Sequence, residues 1–290
     1  MLHLSDDELF TILRPERLTA IVDIGANPID GDPPYKAMLE RGLCSVLGFE
    51  PSADAIRRLN AQKGTTECYL PYAIGDGNEH TLFVCEAPGM TSLLEPDPDR
   101  LDLFYGFRDL GRINRRIPTS TKRLDDVQEI VELDLLKLDV QGSELAILRS
   151  GQKKLAHAVA IQTEVSLIPI YRDQPPLGVI DSELREMGFL PYGFVEMKLW
   201  PLSSAAAGRY VPNESWQPMI EGDLVYIRDF TRAENLTGEQ WKQLALIAHH
   251  CYEATDLVLR ALDMAIALGA VGSEARAQYV KLLGHQPSIS

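Results

Sequence analysis

The sequence predicts an α/β fold, a doubly wound and mostly parallel seven-stranded sheet with a C-terminal helical extension. Two observations predict it. Short apolar segments alternate with helical segments over most of the 290 residues, which is typical of parallel strands joined by crossover helices. In the first of these units a strand at 20–24 leads into Gly25, and the next strand ends on Glu50. Sheets of this class begin a nucleotide-type binding site in this way.

The first part of the chain alternates strands and helices with recognisable helix starts. Ser5 and Glu8 have capping-box spacing, which predicts a helix near the N-terminus. Gly42 is expected to end one crossover helix, and Ser52 to cap the next. In chain order we expect helix 6–13, strand 20–24, helix 34–41, strand 45–50, a helix to about 62, strand 68–70 and strand 80–85 near the sheet edge.

Residues 86–118 form the least regular part of the chain. The stretch contains Pro88-Gly89, Pro96 and Pro98. A long irregular segment inside a compact domain is often a lid or a substrate loop, and we predict that role here. Beyond it we expect an edge strand at 119–124, a buried strand at 133–140, helix 143–149, strand 158–165, helix 177–187, and a final antiparallel pair at 189–195 and 223–228.

A different pattern begins at Thr237, which has capping-box spacing with Gln240. Apolar residues then recur at helical spacing, which predicts one amphipathic helix of about 30 residues, followed by a shorter helix over 274–283. This apolar seam consists of Leu244, Ile247, Cys251, Ala254, Val258, Ala261, Ala265 and Leu268. We therefore predict a domain over 1–232 and a helical extension over 233–290. The seam either packs on the domain or forms a homodimer interface.

Composition argues against several classes of protein. Asp plus Glu number 42 against 28 Lys plus Arg, a net charge of −14. Phosphate binding needs a basic footprint, so no nucleic-acid partner is expected. The most apolar late stretch contains Arg260 and Asp263, which argues against a membrane span. No CxxC pair and no secretion signal are visible, so we expect a cytoplasmic protein without a membrane partner.

Acidic residues occur where the predicted parallel strands end, which is where ligands bind in such sheets. Asp139 lies in a nearly buried strand, where an unpaired carboxylate is costly. An ion pair with Lys137 is not expected, on the ground that neighbouring strand residues face opposite ways. Glu144 falls in the first turn of a helix, where complementing the dipole is an alternative role. The strand-end acids are Asp23, Glu50, Asp139 and Glu164.

Six short segments carry a family resemblance. They are Asp23-Ile24-Gly25-Ala26-Asn27, Gly48-Phe49-Glu50-Pro51, Ala73-Ile74-Gly75-Asp76, Thr91-Ser92-Leu93, Lys137-Leu138-Asp139-Val140-Gln141-Gly142-Ser143-Glu144 and Thr163-Glu164-Val165. Their order resembles the FkbM-type methyltransferases, class I enzymes with a Rossmann-like fold that use S-adenosylmethionine. The resemblance covers about 20–195, and 137–144 is its most specific part.

The resemblance implies methyl transfer from S-adenosylmethionine to a hydroxyl of a sugar, a glycan or a natural product. It implies that the turn after the first strand holds the methionine part of the cofactor, that Glu50 binds the ribose, and that Asp139 lies at the methyl-transfer crevice. Ala73 and Ile74 would border the adenine. The cofactor-binding residues that it implies are Asp23, Gly25, Ala26, Asn27, Glu50, Pro51, Ala73 and Ile74.

The acceptor hydroxyl must lose a proton, and Asp139 and Glu164 are the candidate catalytic residues. Either acid would serve as a base, or the two would hold a divalent ion, for which oxygen ligands favour Mg²⁺. This chain departs from the family pattern at two places. Pro28-Ile29-Asp30 lengthens the first turn, and Gln141 stands where the family often has glutamate.

Two alternatives remain open. A nicotinamide-dependent oxidoreductase would use the same glycine turn and ribose acid, although the glycines do not complete a GxGxxG motif. A non-catalytic scaffold would use the C-terminal helices to bind a partner. The sequence does not identify the acceptor.

Overall fold

The central sheet has the predicted doubly wound order. In a computed structural model of the protein, which describes residues 7–28, 31–206 and 216–285, this sheet has the order β3-β2-β1-β7-β8-β10-β9. The strands are β1 Thr19–Ile24, β2 Cys44–Phe49, β3 Glu67–Leu70, β4 Ala73–Gly75, β5 Glu79–Cys85, β6 Ile113–Arg123, β7 Leu135–Leu138, β8 Ala160–Ser166, β9 Phe189–Leu199 and β10 Met219–Arg228. Among the described residues of this seven-stranded sheet, β10 pairs antiparallel with β8 and β9, and the other pairings are parallel. The strand order reverses between β1 and β7, so the ligand crevice is expected above those two strands.

Helices cover both faces of this sheet. The helices of the described residues are α1 Glu8–Leu13, α2 Lys36–Glu40, α3 Ala53–Gln62, α4 Pro98–Leu101, α5 Phe107–Leu110, α6 Glu144–Ser150, α7 Gln152–Leu155, α8 Leu177–Glu186, α9 Gly238–Tyr252, α10 Thr255–Ala267 and α11 Ala275–His285. Ser52 caps α3 as predicted, its side chain accepting from the Ala55 amide. Asp7 caps α1, and the predicted cap Ser5 lies outside the described residues. No helix in the described ranges is both long and apolar enough to cross a membrane.

The strands divide their side chains between two apolar cores. Ile21 and Leu135 face a core with α1, α2 and the three C-terminal helices. Val22 and Leu136 face the opposite core with α6 and α8. Alternation along the strands therefore gives each face of the sheet its own helical layer.

Two predictions for the middle of the chain were wrong. The strand at 80–85 does not lie in the main sheet but in a second, three-stranded sheet of order β4-β6-β5. The edge strand expected at 119–124 is the C-terminal part of β6, which begins at Ile113 and is the middle strand of this small sheet. Most of β6 is exposed, so it lacks the alternating apolar pattern by which strands are recognised.

The predicted long C-terminal helix is two helices. Glu253 adopts a left-handed conformation, with φ of 51°, between α9 and α10. The apolar spacing continues through the break because both helices bury their apolar residues in one core. The spacing of apolar residues alone therefore does not reveal the turn between the helices.

The apolar seam packs within the chain. Leu244, Ile247, Val258 and Ala261 are buried in the core that also contains Ile21 of β1. Most of this seam is therefore not accessible to a second copy of the chain, and a homodimer through the C-terminal helices would need another surface. The homodimer and the domain boundary at residue 232 stay predictions.

Candidate functional site

The turn after β1 brings the tips of three strands together. Gly25 has φ of +85°, and a Cβ atom there would lie 1.9 Å from the carbonyl oxygen of Asp139, just beyond β7. The amides of Gly25 and Ala26 donate to the Phe49 carbonyl of β2 at 3.0 and 3.2 Å. Only glycine permits this approach and this backbone conformation together, as the sequence predicted for the turn.

Three further predicted cofactor residues, Asn27, Glu50 and Pro51, follow the tips of β1 and β2. Glu50 follows β2, and its Oε1 accepts from the Ser52 amide at 2.7 Å. Burial raises the pKa of Glu50. Asn27 is half-buried and Pro51 is exposed. Of the lengthened turn, Pro28 is exposed, whereas Ile29 and Asp30 lie outside the described residues.

The residues expected to border the adenine differ in their exposure. The side chain of Ile74 is buried in the core with Phe49, whereas Ala73 is partly exposed. Tyr72, which directly precedes Ala73, stacks on Phe49 with ring centroids 6.2 Å apart. The ammonium of Lys122 lies 3.3 Å from the centre of the Tyr72 ring. The adenine contact of Ala73 and Ile74 stays a prediction.

Asp23 is almost completely buried and is held from two sides. The Tyr35 hydroxyl donates to Asp23 Oδ2 at 2.5 Å. Lys137 Nζ lies 3.6 Å from Asp23 Oδ1 and 3.7 Å from Asp139 Oδ2. The expectation that Lys137 and Asp139 do not pair was therefore wrong. Residues two apart in a strand share a face, so the argument from alternation applies only to immediate neighbours.

A glutamine joins the two candidate catalytic acids. Gln141 Nε2 donates to Asp139 Oδ1 at 2.9 Å and to Glu164 Oε2 at 2.7 Å. Gln141 has φ of 60°, a left-handed conformation that is uncommon outside glycine. The sequence predicts Gln141 among the polar residues at the strand tips and as a departure from the family pattern, but not as a bridge between the two acids. Its place directly after a strand and before Gly142 is the signal that pointed to a turn at the site.

Further contacts fix this turn. The hydroxyl of Ser92 donates to the Gln141 carbonyl at 2.6 Å, and that of Tyr171 donates to Gln141 Oε1 at 3.4 Å. Both residues are buried. The Thr91-Ser92-Leu93 segment, which the sequence analysis singled out, thus secures the position of the bridging amide.

The two acids carry different charges. Burial alone would raise the pKa of Asp139, but the ammonium of Lys137 and hydrogen bonds from Glu164 and Gln141 lower it. Burial raises the pKa of Glu164 well above its usual range, and the neighbouring Glu221 and Asp139 add to the effect. A hydrogen bond between the two carboxyl groups needs one proton, and these opposite directions assign it to Glu164 and leave Asp139 ionised. The side chain of Asp139 is 29% exposed, whereas Glu164 is 6% exposed.

Glu144 has a structural role next to this pair. Its Oε1 accepts from the amides of Val140 and Gly142 at 3.2 and 3.0 Å, and this secures the turn that carries Gln141. Burial raises the pKa of Glu144 to about 7, although these backbone hydrogen bonds oppose the shift.

We expect Glu144→Gln to reduce the loss of stability as pH rises from 5 to 8. The pKa of Glu144 lies near 7 in the folded state, against an ordinary value of 4.5. Between these values the folded chain holds a proton that the unfolded chain has released, so the free energy of unfolding falls as pH rises. Glutamine keeps the acceptor oxygen and cannot ionise. Urea unfolding at pH 5 and pH 8 should show a decline smaller by up to about 3 kcal/mol in the variant, and equal declines would contradict the assignment.

The acids do not form a site that fits Mg²⁺. The Gln141 amide occupies the space between Asp139 and Glu164, and the Lys137 ammonium pairs with Asp139. Across the described parts of the chain, no group of three or more His, Cys, Asp or Glu residues is placed to hold a metal ion. The magnesium hypothesis thus has no support here.

Comparisons with known proteins agree with the family resemblance of the six sequence segments. A family model described as the Methyltransferase FkbM domain matches residues 23–191. The 2-O-methyltransferase NoeI of Sinorhizobium fredii is 28% identical over 174 residues, which is 55% of this chain and 68% of that protein.

Solved structures of methyltransferases are also similar to this chain. The magnesium protoporphyrin IX methyltransferase of Synechocystis PCC 6803, with bound S-adenosylmethionine, has 12% identity and a TM-score of 0.36, over 73% of this chain and 71% of that one. The precorrin-6y C5,15-methyltransferase of Geobacter metallireducens has 8% identity and a TM-score of 0.36, over 76% and 85%.

Proposed function

Since this chain belongs to the FkbM methyltransferase family, we propose that it transfers a methyl group from S-adenosylmethionine to a hydroxyl of a sugar, a glycan or a natural product. The main structural support is the close contact between the Gly25 turn and the Asp139 backbone, at the point where the strand order reverses. This juxtaposition sets a cofactor-type turn beside an ionised, partly exposed carboxylate. Similarity to a protein named 2-O-methyltransferase supports a hydroxyl acceptor.

The residues present fit the cofactor. The turn from Gly25 to Asn27 lies at the strand tips where the order of the sheet reverses, which is where ligands bind in such sheets. Glu50 stands at the tip of the next strand, and its carboxylate would accept hydrogen bonds from the ribose hydroxyls. Its engagement of the Ser52 amide fixes its direction.

Asp139 is the proton acceptor in this proposal. When bound, S-adenosylmethionine would supply the methyl group from a positively charged sulfur, and that sulfur would keep the electron pair of the carbon–sulfur bond as the methyl passes to the acceptor oxygen. Asp139 Oδ2, the oxygen that Gln141 does not engage, takes the hydroxyl proton. Glu164 is neutral and buried, so it positions Asp139 through Gln141 and does not act as the base.

We expect Glu50→Gln to weaken binding of S-adenosylhomocysteine by about 10- to 100-fold, because hydrogen bonds to a charged acceptor are the strong ones. Glutamine keeps an acceptor for the Ser52 amide, so α3 should remain capped. Asp54→Asn is the matched control, since this acid of α3 is exposed and pairs with Arg57. Isothermal titration calorimetry measures both, and equal affinities in the two variants would show that Glu50 does not touch the cofactor.

Titration with S-adenosylhomocysteine and with NAD tests the function itself. Binding of S-adenosylhomocysteine alone supports methyl transfer. Binding of NAD alone would favour the oxidoreductase, and binding of neither would favour a scaffold. Methyl-labelled S-adenosylmethionine, incubated with a panel of nucleotide sugars, oligosaccharides and phenolic natural products, then identifies the acceptor class from the labelled product.

A further inference from the structure

We propose that Lys137 is the counter-cation of the methyl-transfer crevice and that it neutralises Asp23 and Asp139 together. Through this charge balance, Lys137 sets how strongly the crevice prefers the cationic cofactor over its neutral product. The inference rests on the proposed function. It assigns to Lys137 a positioning role that acts through two carboxylates.

Lys137 connects the two sides of the crevice. Asp23 of β1 lies opposite Lys137 of β7 in the strand register. From this position the ammonium reaches Asp23 Oδ1 at 3.6 Å and Asp139 Oδ2 at 3.7 Å. Asp23 precedes the cofactor turn, and Asp139 is the proposed proton acceptor. One cation therefore contacts an acid from each functional half of the site.

The buried surroundings of Lys137 favour its pairing with these two carboxylates. Lys137 is 14% exposed, and among the described residues no donor lies within hydrogen-bond distance of Asp23 Oδ1, which leaves the ion pair with Lys137 at 3.6 Å. A third acid, Asp223 of β10, accepts from the Gln162 amide at 2.8 Å in the same polar layer. Burial alone favours the neutral amine, yet Asp23, Asp139 and Asp223 raise the pKa of Lys137, so it stays charged.

The other charged groups around Asp139 are paired or neutral. Glu164 of β8 is protonated, and Glu221 of β10 pairs with Lys198 of β9 at 3.0 Å. Glu144 of α6 binds backbone amides. Removing the charge of Lys137 would therefore leave Asp23 and Asp139 as uncompensated carboxylates beside the crevice.

This charge balance has a measurable consequence. S-adenosylmethionine carries a positive sulfur, and S-adenosylhomocysteine has lost that charge. An uncompensated carboxylate several ångströms from the sulfur would favour the charged ligand by about 10-fold or more at the effective dielectric of protein sites. A merely structural loss would weaken both ligands by the same factor.

Calorimetric titration of both ligands at low salt tests the proposal. We expect Lys137→Met to shift the ratio of the two dissociation constants about 10-fold toward S-adenosylmethionine. Lys137→Arg should keep the wild-type ratio, and Lys137→Met with Asp139→Asn should restore it toward that value. Lys36→Met removes an exposed, ion-paired lysine of α2 and should leave the ratio unchanged.

An unchanged ratio in folded Lys137→Met would overturn the proposal. If thermal unfolding shows that this variant does not fold, Lys137→Met with Asp23→Asn carries the test, because it removes one buried charge and leaves Asp139 uncompensated. A shift in the same direction but of smaller size is expected there, since only one carboxylate is left uncompensated, and its absence is equally decisive. A wild-type protein that binds neither ligand would overturn the proposed function, whereas an unchanged ratio overturns only the role of Lys137.

Discussion

Asp139→Asn is expected to lower kcat by about 10²- to 10⁴-fold with the acceptor that the panel identifies, because an amide cannot take the hydroxyl proton. Asparagine matches the shape of the carboxylate and can still contact Gln141. The affinity for S-adenosylhomocysteine should therefore change far less than kcat. Steady-state kinetics with calorimetric titration separates the two effects.

Glu164→Gln is the control for this prediction. The raised pKa of Glu164 keeps the shared proton on this acid, so replacing it with a neutral amide should reduce kcat less than 10-fold, an effect below about 1.4 kcal/mol. A larger loss from Glu164→Gln than from Asp139→Asn would reverse the assignment of the base. Similar small losses in both variants would remove proton transfer to either acid from the mechanism.

Gly25→Ala is expected to destabilise the protein by at least about 3 kcal/mol and to abolish binding of S-adenosylhomocysteine. A left-handed conformation costs a non-glycine residue about 1–2 kcal/mol. The added Cβ would also lie 1.9 Å from the Asp139 carbonyl, and backbone cannot move aside as a flexible side chain does. The turn must therefore separate from the end of β7, and the crevice changes shape.

Gly42→Ala separates the free-energy cost of the left-handed conformation from the cost of the steric contact. Gly42 also has positive φ, at +68°, but a Cβ there would meet no atom within 4 Å. We expect this control to lose only about 1 kcal/mol and to bind S-adenosylhomocysteine normally. Urea unfolding and calorimetry measure both variants, and equal behaviour would show that the contact between Gly25 and Asp139 has no role.

Local signals were informative where a single residue type was required. The glycine turn, the Ser52 cap and the alternation of apolar strands with helices are chemical requirements of short segments, and they predicted most of the sheet. The same reasoning placed β6 poorly, because an exposed strand of a small sheet shows little periodicity. It also merged α9 and α10, since one left-handed residue, Glu253, does not interrupt the apolar spacing.

By itself the sequence determined the doubly wound fold, the family and the group of acids at the strand tips. Only the tertiary structure decided what those acids do. It showed that Lys137 lies between Asp23 and Asp139, that Gln141 bridges Asp139 and Glu164, and that the two acids consequently differ in charge. The physical reason is that protonation depends on burial and on neighbours from other strands, whereas strand and turn formation depends on residues close in the chain.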